Sequence, residues 1–219
     1  MIDRAAIMGA VRRPGSAAVA GIIFAVILGV VIVLLRDAVP EVPSDLGQWS
    51  EDAGRRDAVG RALNLIPFAG IAFLWFIAVI RAQVGAAEDR FVGTVFLGSG
   101  LIFVALLFAA AAALKAVLML YESGIELPPE GRAYGWALAA SLLGTFGTRM
   151  AAVFVATVAT SGRRAGAFPR WLAYSGYLVA TALLLTPPLP ILTEFLFSAW
   201  VFVLSLYLLT GAASRRARR

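Results

Sequence analysis

The sequence predicts an all-α membrane protein, a polytopic transmembrane helical bundle of six spans with both termini in the cytoplasm. Of its 219 residues, 61% are hydrophobic and 15% are charged, whereas soluble domains hold about 25% charged residues. Six apolar runs approach or exceed the length of about 20 residues that crosses a bilayer. Arginines concentrate in alternate connecting segments, which is the pattern that orients multi-pass membrane proteins.

Residues 1–219 are predicted to form a single transmembrane domain, because no polar segment is long enough to fold separately. The first span is too long for the core of a signal peptide, so we expect a mature transmembrane helix there. Pro67 lies in the first turns of the second span and would kink it unless the helix starts at that residue. The predicted spans are 17–35, 62–80, 91–120, 136–160, 171–186 and 191–211.

The distribution of charge predicts the orientation of these spans. The inner segments carry 12 arginines and 3 acids, and the outer segments carry 5 arginines and 9 acids. This bias places both termini in the cytoplasm. It also predicts contact with the lipid bilayer through anionic headgroups at the cytoplasmic face, so nucleic-acid binding is not needed to explain the net charge of +6. The inner segments are 1–15, 81–90, 161–170 and 212–219, and the outer ones are 36–61 and 121–135.

The outer segment 36–61 is the longest polar stretch. Pro40 and Pro43 interrupt it, and Ser44 and Asp45 are suitable caps for a helix that runs toward the second span. The segment is interpreted either as an interfacial connector or as a lid over an outer opening.

Several residue types that support chemistry are missing. The chain has no cysteine and no histidine, which excludes disulfides, thiol catalysis and metal sites built from Cys or His. The sequence also lacks a phosphate-binding loop, a catalytic triad and paired carboxylates within a span. We therefore expect no metal and no cofactor, and the pattern argues against an enzyme.

The fourth span contains a cation with a functional implication. Arg149 follows two Gly-Thr pairs in the segment GTFGTR, and a count from Trp136 places it near mid-membrane. A charge at that depth is costly, so it should face protein, water or a ligand. Glycines would loosen the helix, so that backbone N–H groups, threonine hydroxyls and the guanidinium hold an anion or carboxylate. The alternative is that Arg149 donates to carbonyls of a neighbouring helix and only stabilises packing.

A polar seam between the fourth and sixth spans is predicted around this residue. In the sixth span Glu194, Ser198 and Ser205 share a face. Lys115 of the third span and Glu194 have matching predicted depths and opposite charges, so they form an intramembrane ion pair or extend separately to the outer interface. The candidate ligand-binding residues are Ser141, Gly144, Thr145, Gly147, Thr148, Arg149, Glu194 and Ser198.

Two segments, EDRFVGTVFLGSG and GAFPRWLAYSGYLVATALLL, carry a family resemblance. The second has a Pro-Arg-Trp-Leu entry to a late span, formed by Pro169, Arg170, Trp171 and Leu172. In these features the chain resembles uncharacterised six-span membrane proteins of bacteria. The resemblance implies a multi-pass protein of the bacterial cytoplasmic (inner) membrane, and no activity is known for the family.

Three hypotheses for the function follow from these patterns. The first is a transporter or channel-like protein for a small anionic or amphipathic solute, which uses the seam between spans 4 and 6. The second is a non-catalytic accessory or scaffold subunit, and the third is a lipid-modifying membrane enzyme. Gly21, Ala25 and Gly29 lie four residues apart in the first span, and such small-residue faces suit close helix contacts within a bundle or a homo-oligomer.

Overall fold

A computed structural model describes the chain as helices joined by short turns, with no strand in the described residues. The described residues are 14–38, 52–84, 90–125, 127–185 and 190–217. The helices are α1 (Pro14–Ala38), α2 (Ala53–Val84), α3 (Arg90–Glu122), α4 (Pro129–Ala140), the π-helical segment π1 (Ser141–Gly147), α5 (Thr148–Arg164), α6 (Arg170–Leu185) and α7 (Pro190–Ala217). α4, π1 and α5 follow each other without a break and form one continuous helix.

Among the residues that the structure describes, four helices are long and apolar enough to cross a membrane: α1, α2, α3 and the continuous α4–π1–α5 helix. The chain is therefore a membrane protein. α6 has 16 residues, or about 24 Å, which is shorter than the roughly 30 Å of a hydrocarbon core. The apolar stretch of α7, Phe195–Gly211, is also shorter than the other four. The fifth and sixth spans and the side on which the termini lie stay predictions.

α2 begins earlier than the predicted second span because Asp52 caps it. The backbone N–H of Arg55 donates to Asp52 Oδ1 at 2.9 Å, which satisfies a donor that the first helical turn leaves unpaired. The helix then continues through Pro67, whose ring is on an exposed side. Ser44, Asp45 and most of the outer segment lie outside the described residues.

Phenylalanine rings fill the centre of the bundle. Phe73 of α2 contacts Phe24 of α1 at 4.5 Å and Phe154 of α5 at 5.0 Å between ring centroids. Phe103 of α3 and Phe197 of α7 meet edge to face at 5.0 Å, an arrangement that aromatic rings prefer over face-to-face contact. The full cluster is Phe24, Phe73, Phe76, Phe96, Phe103, Phe154 and Phe197. Five of the seven described α-helices are thus joined through one aromatic core.

Gly21 lets α1 approach its neighbours closely. A β-carbon at this position would overlap Ser205 of α7 and come within 2.8 Å of Phe76 of α2. Gly29, two turns later, has no atom within 4 Å of the place that its β-carbon would take. Of the predicted small-residue face, Gly21 is therefore a close-contact position within the bundle and Gly29 is not.

The helices reach different heights at the outer end, which we define as the end where α1 finishes and α2 begins. Ile32 of α1, Leu183 of α6 and Thr148 of α5 line one small cavity, so they lie at about the same level. α1 extends about 9 Å beyond that level and α6 about 3 Å, whereas the helix that contains Thr148 continues outward for about 29 Å to Pro129. α4 therefore stands beyond the outer ends of α1 and α6.

Candidate functional site

The fourth predicted span changes its helical geometry directly before Arg149. Residues Ser141–Gly147 form a π helix, and the backbone N–H of Thr148 donates to the carbonyl of Leu143, five residues back. The flanking residues keep α-helical backbone angles, so the helix is not broken. π turns are rare and frequently occur at functional sites. The segment GTFGTR is thus a widened helical turn rather than unwound backbone.

Gly147 is the glycine of this wide turn at which a side chain would be crowded. A β-carbon there would lie 3.3 Å from the carbonyl oxygen of Leu142 and 3.2 Å from Leu143 Cδ1. The carbonyl belongs to the same helix, so it has little freedom to move away. Gly144 has no atom within 4 Å of the equivalent position, and a side chain would be accommodated there.

Thr148 faces the interior of the bundle rather than an open path. It is 7% exposed, and its Oγ1 donates to the Leu143 carbonyl at 3.1 Å. The cavity beside it has a volume of about 20 Å³, which is enough for one water molecule. Its other lining residues are apolar: Leu28, Ile32, Phe103, Leu143, Ala151, Leu183 and Phe197. A solute larger than water does not fit at this position in the described conformation.

Arg149 turns back along its own helix. Its Nη1 donates to the carbonyl oxygen of Thr145 at 2.7 Å. Arg149 and Thr145 are half-buried and Ser141 is exposed. A guanidinium has five N–H donors, and no second protein partner for this one occurs among the described residues. The acceptor belongs to the same helix. The predicted alternative was a hydrogen bond from Arg149 to a carbonyl of a neighbouring helix, and the described residues contain no such bond.

The packing places Arg149 near the outer ends of α1 and α6 and near the middle of its own continuous helix. Its neighbour Thr148 shares a cavity with Ile32 and Leu183, which lie near the outer ends of α1 and α6. The count took Trp136 as the outer limit of the span, but the helix starts at Pro129 and its first part stands beyond those two helices. The depth of Arg149 in the membrane therefore stays a prediction.

Among the polar residues of the sixth span, the structure shows the surroundings of Ser205 in most detail. Phe197, not a serine, lines the cavity beside Thr148. Ser198 is buried. Ser205 is fully buried against Gly21 of α1 and donates to the Val201 carbonyl at 2.7 Å. Ser205 is thus part of the contact between α1 and α7.

The described residues do not test the predicted pair of Lys115 and Glu194. The contact between Phe103 and Phe197 aligns α3 with α7. From that level Lys115 lies about 18 Å toward the outer end and Glu194 only about 4.5 Å. The side chain of Glu194 lies outside the described residues, so the ion pair and the seam stay predictions.

Two features of the structure were not identified from the sequence. The phenylalanine cluster joins residues that are far apart in the chain, and only the spacing of Phe73 and Phe76 within α2 indicated a shared face. Thr160 of α5 and Tyr177 of α6 lie within hydrogen-bond distance, at 3.1 Å. No spacing rule connects these two residues, because they belong to different helices.

No known protein family, curated protein or solved structure matches the chain. The comparisons therefore identify no family, and the helical structure agrees with a membrane-type protein.

Proposed function

We propose that this protein is a carrier for a small anionic or amphipathic solute, and that the solute binds at Arg149. The supporting observation is a half-buried guanidinium whose single described partner is the Thr145 carbonyl of its own helix. A carboxylate, phosphate or sulfonate would supply the charge-assisted, bidentate hydrogen bonds that such a group favours. Thr145 and the exposed Ser141 on the same helix would add polar contacts.

The π segment is the proposed moving part of the site. A π turn and an α turn differ by one residue of register, so a local shift in the π segment would rotate Thr148 and Arg149 together relative to α4. Gly147 permits the wide turn, because a side chain there would approach the Leu142 carbonyl. Binding of the solute would favour one of the two registers, which couples occupancy to the position of α5.

A carrier is favoured over an open channel because the centre of the bundle is filled. Phe73, Phe103 and Phe197 lie in mutual ring contact, and the cavity next to them holds no more than a water molecule. A solute would therefore move only when helices separate. Within the proposal, the path follows the predicted seam between the fourth and sixth spans.

The same observation supports a second candidate function, a non-catalytic accessory subunit. A filled core suits a protein that transports nothing itself. In that case Arg149 would pair with an acidic residue in a transmembrane helix of a partner protein, since opposite charges within a membrane tend to pair.

The proposal includes six spans in the bacterial cytoplasmic membrane, with both termini in the cytoplasm and copies associated as a homo-oligomer. The distribution of arginines supports this orientation. The chain has no cysteine, so single cysteines introduced at residues 9, 125 and 167 can be labelled from each side of the membrane. We expect 9 and 167 to react from the cytoplasmic side and 125 from the other, and native mass spectrometry reports the number of copies.

Arg149→Gln tests the proposed function, with Lys115→Gln as the matched control. Both changes remove one cation from a half-buried position in a helix that is long and apolar enough to cross a membrane. We expect a panel of organic anions to raise the melting temperature of the wild type and of Lys115→Gln. Arg149→Gln should lose roughly 10–100-fold in affinity, as expected for a charged hydrogen bond of about 1.5–3 kcal/mol.

Flux into liposomes separates the two candidates. Anion uptake by the wild type that Arg149→Gln abolishes supports the carrier. No uptake, together with a stable complex with another membrane protein that Arg149→Gln disrupts, supports the accessory subunit. Unchanged anion binding and unchanged complexes in a folded Arg149→Gln variant would reject Arg149 as a functional site.

A further inference from the structure

The inner end of α5 and the start of α6 form a second cationic site, which is distinct from Arg149. Arg163, Arg164 and Arg170 lie within eight residues and all three are exposed. Arg164 and Arg170 have no ion-pair partner in the part of the chain that the structure describes. From residue 131 to the end, the sequence contains nine arginines and a single acid, Glu194.

The turn that carries these arginines is held in one conformation by its backbone. Gly166 has φ +64°, which favours glycine. Its N–H donates to the Arg163 carbonyl at 3.1 Å, and the N–H of Ala167 donates to the Gly162 carbonyl at 2.9 Å. These two bonds form a Schellman motif that satisfies the last carbonyls of α5. Phe168 packs on Gly162, so the arginines extend from a rigid support.

Aromatic side chains border the same surface. Arg163 lies over the ring of Tyr174 at 5.7 Å, within the range of a cation–π contact. Tyr174 and Trp171 are more than half exposed. Trp171 meets Tyr207 of α7 edge to face at 6.4 Å. Exposed tryptophan and tyrosine next to basic residues are typical of the level of lipid headgroups.

We infer that this surface is a binding site for the headgroup of an anionic phospholipid. Arg164 and Arg170 bind the phosphate, and Trp171 and Tyr174 contact the glycerol region beside it. The sequence alone predicted a diffuse attraction between the inner segments and anionic lipid. The structure assigns that attraction to one rigid turn with two exposed arginines and two exposed aromatic rings. A lipid is favoured over a free anion because the aromatic rings would have no contact with the latter.

The experiment compares two double variants of the full-length protein in a neutral detergent. Arg164→Gln with Arg170→Gln removes the proposed headgroup contacts. Arg55→Gln with Arg61→Gln removes two exposed arginines from the first turns of α2. This control therefore has the same net charge as the first double variant. Short-chain phosphatidylglycerol is titrated into each, and the shift in melting temperature gives the apparent affinity.

We expect the Arg164 and Arg170 double variant to bind phosphatidylglycerol roughly 30-fold more weakly, from about five-fold for each arginine near an anionic headgroup. The Arg55 and Arg61 double variant should bind like the wild type. Without lipid both variants should melt at the wild-type temperature. Arg164→Lys with Arg170→Lys keeps the charge and should retain most of the binding.

Four results would overturn the inference. They are equal losses in the two double variants, equal stabilisation by phosphatidylcholine, equal stabilisation by inorganic phosphate, and loss of phosphatidylglycerol binding in Arg149→Gln instead. The last result would identify the lipid headgroup as the ligand of Arg149. Failure of the headgroup site leaves the proposed anion site at Arg149 unaffected, because the two tests use different variants.

Discussion

The hydroxyl of Tyr177 donates to Thr160 Oγ1 and thereby joins α6 to α5. The two oxygens lie 3.1 Å apart, and the Thr160 hydroxyl also lies 2.8 Å from the Ala156 carbonyl. Because the Thr160 proton is directed at that carbonyl, Tyr177 is the donor in the contact between the helices. Gly176, the residue before Tyr177, allows this close approach, since a β-carbon there would lie 2.8 Å from the Ala159 β-carbon.

A double-mutant cycle on this pair should give a favourable coupling energy of about 0.5–1.5 kcal/mol. Thr160→Val removes the acceptor and Tyr177→Phe removes the donor, while both keep nearly the same shape. The free energy of unfolding in detergent is measured for the wild type, both single variants and the double variant. Strict additivity of the two single changes would show that the hydroxyls do not interact.

Gly147→Ala should destabilise the protein by about 1–3 kcal/mol, because the new methyl group approaches the Leu142 carbonyl within the same helix. Gly144→Ala is the matched control in the same π segment. It meets no atom within 4 Å and replaces a poor helix former, so it should be neutral or add up to about 1 kcal/mol. Thermal unfolding of both variants measures the difference, and equal effects would contradict the assigned role of Gly147.

Gly21→Ala should weaken the contact among α1, α2 and α7 by about 1–3 kcal/mol. The added carbon overlaps Ser205, whose hydroxyl is held by the Val201 carbonyl. Gly29→Ala, on the same helix, enters open space and should leave the free energy of unfolding within about 0.5 kcal/mol of the wild type. A larger loss for Gly29→Ala than for Gly21→Ala would show that α1 packs through its other end.

Phe73→Ala should cost about 3–5 kcal/mol, because it removes a fully buried ring at the centre of the aromatic cluster and leaves a cavity. Phe68→Ala, in the same helix, changes a ring that is 61% exposed. It should alter the free energy of unfolding far less. Chemical unfolding in mixed micelles tests both, and similar losses would indicate that the cluster does not hold the bundle together.

The cap of α2 should depend on pH. The hydrogen bond from the Arg55 backbone N–H lowers the pKa of Asp52 below its ordinary value. A lowered pKa in the folded state means that the ionised carboxylate stabilises the cap above the ordinary pKa. This contribution is lost as the pH falls through the lowered value.

Amide hydrogen exchange at Arg55 and Arg56 measures that cap directly. We expect protection to be constant at neutral pH and to fall in acid, after correction for the intrinsic exchange rate. Asp52→Asn should keep protection and lose its dependence on pH, since asparagine caps helices without a charge. Asp52→Ala should lose protection at every pH. Identical pH profiles for the wild type and Asp52→Asn would contradict the role of the carboxylate.

The approximate location of every helix could be predicted from runs of apolar residues, because hydropathy is a local property of the chain. The ends were less predictable. α2 starts at Ala53 because the Arg55 backbone N–H donates to Asp52. A capping hydrogen bond does not change the hydropathy of the chain, so a search for apolar runs does not detect it. The functional importance of GTFGTR was also predicted from its glycines and its arginine, and the function itself remains a proposal.

The sequence by itself determined that this is a helical membrane protein with an arginine beside paired glycines and a basic turn after α5. These conclusions depend on composition and on residues that are close in the chain. Only the tertiary structure decided the level of Arg149 relative to α1 and α6, the packing of Ser205 against Gly21 and the joining of distant phenylalanines into one core. Those relationships depend on the vertical offset between helices, which is determined by side-chain packing across the bundle and leaves no periodic signal in the sequence.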